Sequence, residues 1–181
     1  MTKKNFTIQK MAAVGLLSAL VFIFSGVRIQ FGEVAAVHLG NGFCALAGLL
    51  FGPGVGGLAS GIGSMLYDFT NPAYIAESWI TFLTKFALGF VAGLIARRGL
   101  PSLRKDVLAA AAGSFTYVAL YLLKSFIIKF WVEGQAWGAV ATQLAAKGVT
   151  SCINAVAAIV VATLLAQAIR PALRRAHLLQ V

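Results

Sequence analysis

Two lysines stand inside otherwise apolar runs of this sequence, Lys85 in TFLTKFALGFVAG and Lys147 in QLAAKGVTSCINA. A lysine at mid-membrane depth costs about 2.5 to 3.5 kcal/mol on insertion scales, so it needs a partner, a wet cavity or a route for its head group to the interface. Their polar neighbours recur at helical spacing. Thr81 shares a helix face with Lys85; Thr150, Ser151 and Asn154 share one with Lys147; Tyr117, Tyr121 and Lys124 share a third. Three polar stripes at one depth describe a single cavity that offers hydrogen-bond donors to a small molecule. Separate snorkelling of each lysine, Lys124 above all, stands as the alternative, and Lys129 reads as interfacial.

Catalytic chemistry finds no comparable support. GVGGLA at 54–59 has the letters of a dinucleotide-binding loop, but that loop follows a buried strand and opens a helix, whereas apolar spans flank this one. The sequence has no GxxxxGK[ST], so it cannot drive its own transport with ATP, and no HExxH, GxSxG or paired carboxylate within a span. His38 and His177 fall on opposite predicted faces of the membrane, which sets a metal site aside. Cys44 and Cys152 lie in different apolar runs without a CxxC neighbour, and read as buried small hydrophobes. The expectation is a protein without enzymatic activity, cofactor or metal.

The elements that position the stripes follow from composition. Of 181 residues 60% are hydrophobic and 11% charged, which describes a polytopic membrane protein without room for a soluble domain. Spans are expected at 11–27, 37–51, 55–69, 78–96, 107–130 and 139–169: an all-α fold of six transmembrane helices in one compact bundle, residues 1–181 forming a single domain. The second and third are short, about 22 Å against a hydrocarbon core of about 30 Å, so they need tilt, thinning or shelter inside the bundle. They are broken apart at Gly52-Pro53-Gly54. Gly57 and Gly61, and Gly89 and Gly93, put small residues one turn apart on one face, as close helix packing in lipid requires, although glycine is also common in membrane helices generally.

The net charge of +10 does not point to nucleic acid, because the basic residues are clustered between the spans. With the N-terminus cytoplasmic, the inner side collects Lys3, Lys4, Lys10, Arg97, Arg98, Arg104, Lys105, Arg170, Arg174 and Arg175, ten of the fifteen. Arg28, Glu33, Glu77 and Glu133 then fall in outer loops, and Trp79, Trp131 and Trp137 at outer span ends. Both termini are expected in the cytoplasm of a cell with a bacterial-type plasma membrane. The first span lacks a cleavage signal and reads as an uncleaved helix.

Taken together, HLGN (38–41), LLFGPGVGGLASGIGSMLYD (49–68), the Asn71-Pro72 elbow and TFLTKFALGFVAGLIA (81–96) resemble the membrane-embedded substrate-binding subunit, the S component, of energy-coupling factor (ECF) vitamin importers. The likeness is closest to the broad group whose members take up various vitamins and precursors. It implies a substrate site in the outer half of the bundle, closed by the first loop, with the third and fifth loops (70–77 and 132–138) completing the roof. Asn41, Tyr67, Asp68, Asn71 and Tyr74 lie near that roof and join Lys85, Tyr121, Lys124, Lys147 and Asn154 as candidate ligand contacts. Asp68 is equally a helix-end residue or a counter-ion for Lys85.

The resemblance further implies a transmembrane coupling subunit and two cytosolic ATPases as partners, with the first helix docking through small residues. Gly15 and Ala19, with Ala12 one turn earlier, supply that face, glycine standing where the family often has alanine. Nickel and cobalt S components carry a histidine close to the N-terminus, and here the chain begins Met1-Thr2-Lys3. Pyridoxine-like and pyrimidine vitamins suit a donor-rich cavity; riboflavin is less favoured, and cobalamin and pantothenate stay open. A self-sufficient secondary carrier or facilitator for a small polar metabolite is the competing function.

Overall fold

The computed structural model describes residues 8–31, 35–98 and 101–176. Lys3, Lys4, Glu33, Gly99 and His177 lie outside them. In chain order the elements are α1 (Ile8–Gly26), an antiparallel hairpin of β1 (Arg28–Phe31) and β2 (Ala35–His38), α2 (Gly40–Asp68), α3 (Ser78–Ala96), α4 (Leu103–Phe126) and α5 (Trp137–Arg175). The hairpin pairs Arg28 with His38 and Phe31 with Ala35. A 3-10 turn, Ile75–Glu77, leads into α3, and a π-helical turn, Ile127–Val132, prolongs α4.

Five helices among the described residues are long and apolar enough to cross a membrane, not the expected six. The expected second and third spans are one helical element, α2, with no loop between them. Gly52 breaks it at φ 80° and ψ −176°, a backbone conformation that glycine adopts without steric cost. Pro53 follows at the first position of the second arm, where its missing N–H would be unpaired anyway. The two arms fold back on each other. A Cβ on Gly56 would come within 2.6 Å of the Gly48 amide nitrogen, although eight residues of straight helix span about 12 Å. Ser60 Oγ likewise donates to the Cys44 carbonyl at 3.2 Å across sixteen residues. The second helix therefore runs out and back through the bundle as two antiparallel arms.

The arms of α2 are too short to face lipid, and the fold shelters them. Of its apolar stretch 72% is buried, against 22 to 33% in the other four helices. Small side chains permit this: Cys44, Ala45, Ala109, Ala110, Ala162 and Ala166 are fully buried around Leu88, and Ala59 and Ala92 are fully buried as well, since helices in lipid associate through close packing rather than a hydrophobic drive. Leu16, Leu83, Leu108, Phe115, Leu123 and Leu164 are exposed on the outside of the bundle, the surface that meets hydrocarbon.

The two ends of the bundle differ in chemistry. At one end Arg97 Nη2 donates to the Phe51 carbonyl at 3.3 Å, capping the first arm of α2 at its reversal. At this end also Arg170, one of the basic residues assigned to the inner side, is buried. Its guanidinium makes two bonds to the Asp106 carboxylate, at 2.7 and 2.9 Å, and Gln167 Nε2 adds a third at 2.7 Å. Bidentate geometry and a satisfied carboxylate let an ion pair exist at 1% exposure of Asp106. At the other end Trp79, Trp131 and Trp137 are exposed, as aromatic residues at a membrane interface are. The chain is an all-α polytopic membrane protein carrying one short β-hairpin.

Candidate binding cavity

The tryptophan end of the bundle holds an open cavity of about 610 Å³. Every helix contributes to it. Asn41 enters from the start of α2 and Tyr67 and Asp68 from its end, so the reversal at Gly52 brings both ends of one helix to one site. Tyr74 and Glu77 come from the turn before α3, Lys85 with Thr81 and Thr84 from α3, Tyr117, Tyr121 and Lys124 from α4, and Lys147, Thr150, Ser151 and Asn154 from α5. Of the candidate contacts only Asn71 lies elsewhere. It is exposed, and its Oδ1 accepts from the Ala73 amide at 3.1 Å, stabilising the turn it belongs to.

The lysines are held in distinct ways. Lys85 is 7% exposed; its Nζ donates to Asn41 Oδ1 and lies 4.1 Å from the centre of the Tyr117 ring. It does not snorkel, and Asp68 is not its counter-ion. Lys147 Nζ donates to Ser125 Oγ at 3.2 Å and lies 5.7 Å from the Tyr121 ring. Lys124 pairs with Glu77 at 2.5 Å, tying the turn before α3 down onto α4. Lys129 pairs with Glu133 one turn on, at 2.7 and 2.8 Å, on the cavity rim. The Tyr117 and Tyr121 rings stack 6.0 Å apart and form a continuous aromatic wall.

Asn154 joins the cavity wall to the hairpin. Its Oδ1 accepts from the His38 backbone amide at 2.6 Å and its Nδ2 donates to the Thr150 carbonyl at 2.9 Å. The end of the β-hairpin is thereby fastened to α5 at the cavity.

Ser25, His38, Ser64, Thr84, Ser125 and Glu133 also line the cavity, and the sequence reading did not place them there. Ser125 was within reach, standing four residues after Tyr121 on the same face. Ser25 and Ser64 carry no sequence signal, because only the packing of α1 on the second arm of α2 brings them in. Of the cysteines, Cys44 is buried beneath the site as expected, whereas Cys152 is exposed on the outer surface of α5.

On the opposite side of α1, Ala12, Gly15 and Ala19 are all exposed, and a Cβ on Gly15 would meet no atom within 4 Å. Gly15 and Ala19 line an apolar groove with Met11, Phe22, Leu66 and Phe69; Ala12 lies outside it. Among the described residues no three histidine, cysteine or carboxylate side chains cluster as metal ligands would.

An open, polar, multi-helix cavity lined by four lysine ammonium groups can hold a small polar molecule by directed hydrogen bonds. Over residues 5–171 the sequence matches the family described as ECF-type riboflavin transporter, S component. A search among curated proteins gives no match.

Proposed function

Since the chain belongs to the S-component family of ECF-type riboflavin transporters, a family of transporter subunits and not of enzymes, we propose that it captures a small water-soluble vitamin or vitamin precursor for an ATP-driven importer. Binding takes place in the outer half of the bundle, beneath the first, third and fifth loops. Delivery runs through a complex with a transmembrane coupling subunit and two cytosolic ATPases, to which α1 presents Ala12, Gly15 and Ala19. The protein resides in the plasma membrane with both termini in the cytoplasm, and residues 1–181 act as a single substrate-binding domain. Its cavity contacts are Asn41, Tyr67, Asp68, Tyr74, Lys85, Tyr121, Lys124, Lys147 and Asn154.

The observation that carries this reading is the polar cavity itself, to which all five helices contribute. Hydrophobic helices gain nothing by gathering four lysines, four tyrosines and two asparagines around one cavity unless the space is wet or filled. The family's description names riboflavin, which sequence reasoning had placed behind pyridoxine-like and pyrimidine vitamins, so riboflavin is the first compound to try.

Mass spectrometry of the compound that co-purifies with the protein tests capture directly. Uptake of that compound in a host with and without the coupling subunit and ATPases tests delivery. Uptake that persists without them and follows an ion gradient would replace the proposal with a secondary carrier.

A further inference from the structure

The cavity's charges are unevenly matched. Four lysines line it, and two of them are neutralised within the protein: Lys124 by Glu77 and Lys129 by Glu133. Lys85 and Lys147 have only neutral partners, an amide oxygen and a hydroxyl, together with the faces of Tyr117 and Tyr121. Among the described residues neither makes an ion pair. The remaining carboxylate of the lining, Asp68, stands at the outer end of α2 and pairs with neither lysine.

Dipoles and ring faces hold an ammonium group in place but do not cancel its charge. In a site walled by hydrocarbon side chains, an uncompensated charge acts on an opposite charge several times more strongly than it would in water. Lys85 on α3 and Lys147 on α5 flank the Tyr117–Tyr121 wall of α4 from its two ends. They are therefore the two donors of a cradle open on the cavity side.

We infer that the molecule taken into this cavity carries an oxyanion, a carboxylate or a phosphate, seated between Lys85 and Lys147 against the two tyrosines. Its uncharged part faces outward, because Asp68 at the outer end of α2 repels the anionic group there. Nothing in the family's description specifies an anion, and the inference rests on the capture reading above.

The test uses matched probes that differ in the oxyanion: nicotinate against nicotinamide, pantothenate against pantothenol, and riboflavin 5′-phosphate against riboflavin. Binding to the purified protein in detergent is measured by titration calorimetry, and the carboxylate and phosphate arms separate the two oxyanions. In at least one pair the anionic member binds about tenfold or more tightly than its neutral partner, as a charge-assisted hydrogen bond requires. Lys85→Met and Lys147→Met each abolish that preference, and Lys147→Arg retains it.

A neutral member bound as tightly as its anionic partner, or a preference that survives both Met substitutions, overturns the oxyanion and leaves capture standing. Failure of all three anionic probes to bind at about 1 mM, an affinity of barely 4 kcal/mol, also counts against the oxyanion. Capture is then judged separately from the co-purified compound.

Discussion

Gly89→Ala isolates the packing that fixes the cavity's depth. Gly89 lies one turn after Lys85 on α3, at the point where α3 crosses both arms of α2. A Cβ there would stand 2.8 Å from the Gly56 carbonyl carbon and nearer still to its oxygen and to Ser60 Oγ. Real Cβ atoms essentially never come within 3.0 Å of such neighbours, and backbone cannot swing aside as a flexible side chain can. The helices must separate by roughly 0.5 to 1 Å, a gap that already forfeits a quarter to a half of each dispersion contact along the crossing. Overpacking of this kind costs about 1 to 3 kcal/mol. For a chain of this size that lowers the melting temperature by roughly 2 to 12 °C. The same separation draws Lys85 on α3 away from Asn41 on α2, so affinity for the co-purified compound should fall with stability. Gly54→Ala and Gly15→Ala are the controls, since a Cβ at either meets nothing within 4 Å. Thermal unfolding in detergent, followed by tryptophan fluorescence, reads all three variants. A Gly89→Ala protein that melts with the two controls would show that the crossing is looser than these distances require, and the reasoning would fail.

Asp106→Asn leaves Arg170 buried without its counter-charge and should destabilise by about 3 to 5 kcal/mol, while the double variant Asp106→Leu, Arg170→Leu recovers most of the loss; unfolding of the single variant at the native temperature would count against a buried pair. Asn154→Leu removes the tether to His38 and should weaken binding more than tenfold in calorimetry, whereas Lys129→Met breaks an exposed pair worth about 0.5 kcal/mol and should change it less than threefold. Gly15→Leu should separate the protein from the coupling subunit on size exclusion without altering ligand binding, and an intact complex would remove α1 as the dock. In a background lacking Cys44 and Cys152, a cysteine at Ser102 should resist an impermeant thiol reagent applied outside intact cells while one at Gly134 reacts; the reverse pattern would invert the proposed orientation.

Sequence alone determined the properties that are local or additive. Hydropathy summed along the chain requires membrane helices, and the clustering of arginine and lysine separates one end of the bundle from the other. The 3.6-residue period is a property of each helix by itself, so the stripes Thr81–Lys85, Tyr117–Tyr121–Lys124 and Lys147–Asn154 could be read without knowing what they face. The break at Gly52-Pro53 was equally visible, because it needs only the conformations of two residues.

Tertiary structure decided which stripe meets which. A reversal with no intervening loop turned two expected spans into one doubled helix, and so carried Asn41 and Asp68, the two ends of α2, to the same cavity. Lys85 found Asn41 rather than Asp68, and Lys124 found Glu77, forty-seven residues away in sequence. Asp106 and Arg170, sixty-four residues apart, closed the opposite end. None of these partners is legible in a helical period, which fixes the direction of a side chain about its own axis but not the rotation or depth of the neighbouring helix. Those are set by how closely backbones approach, and here by glycines at 48, 56 and 89 whose missing Cβ atoms let three helical segments meet at one point.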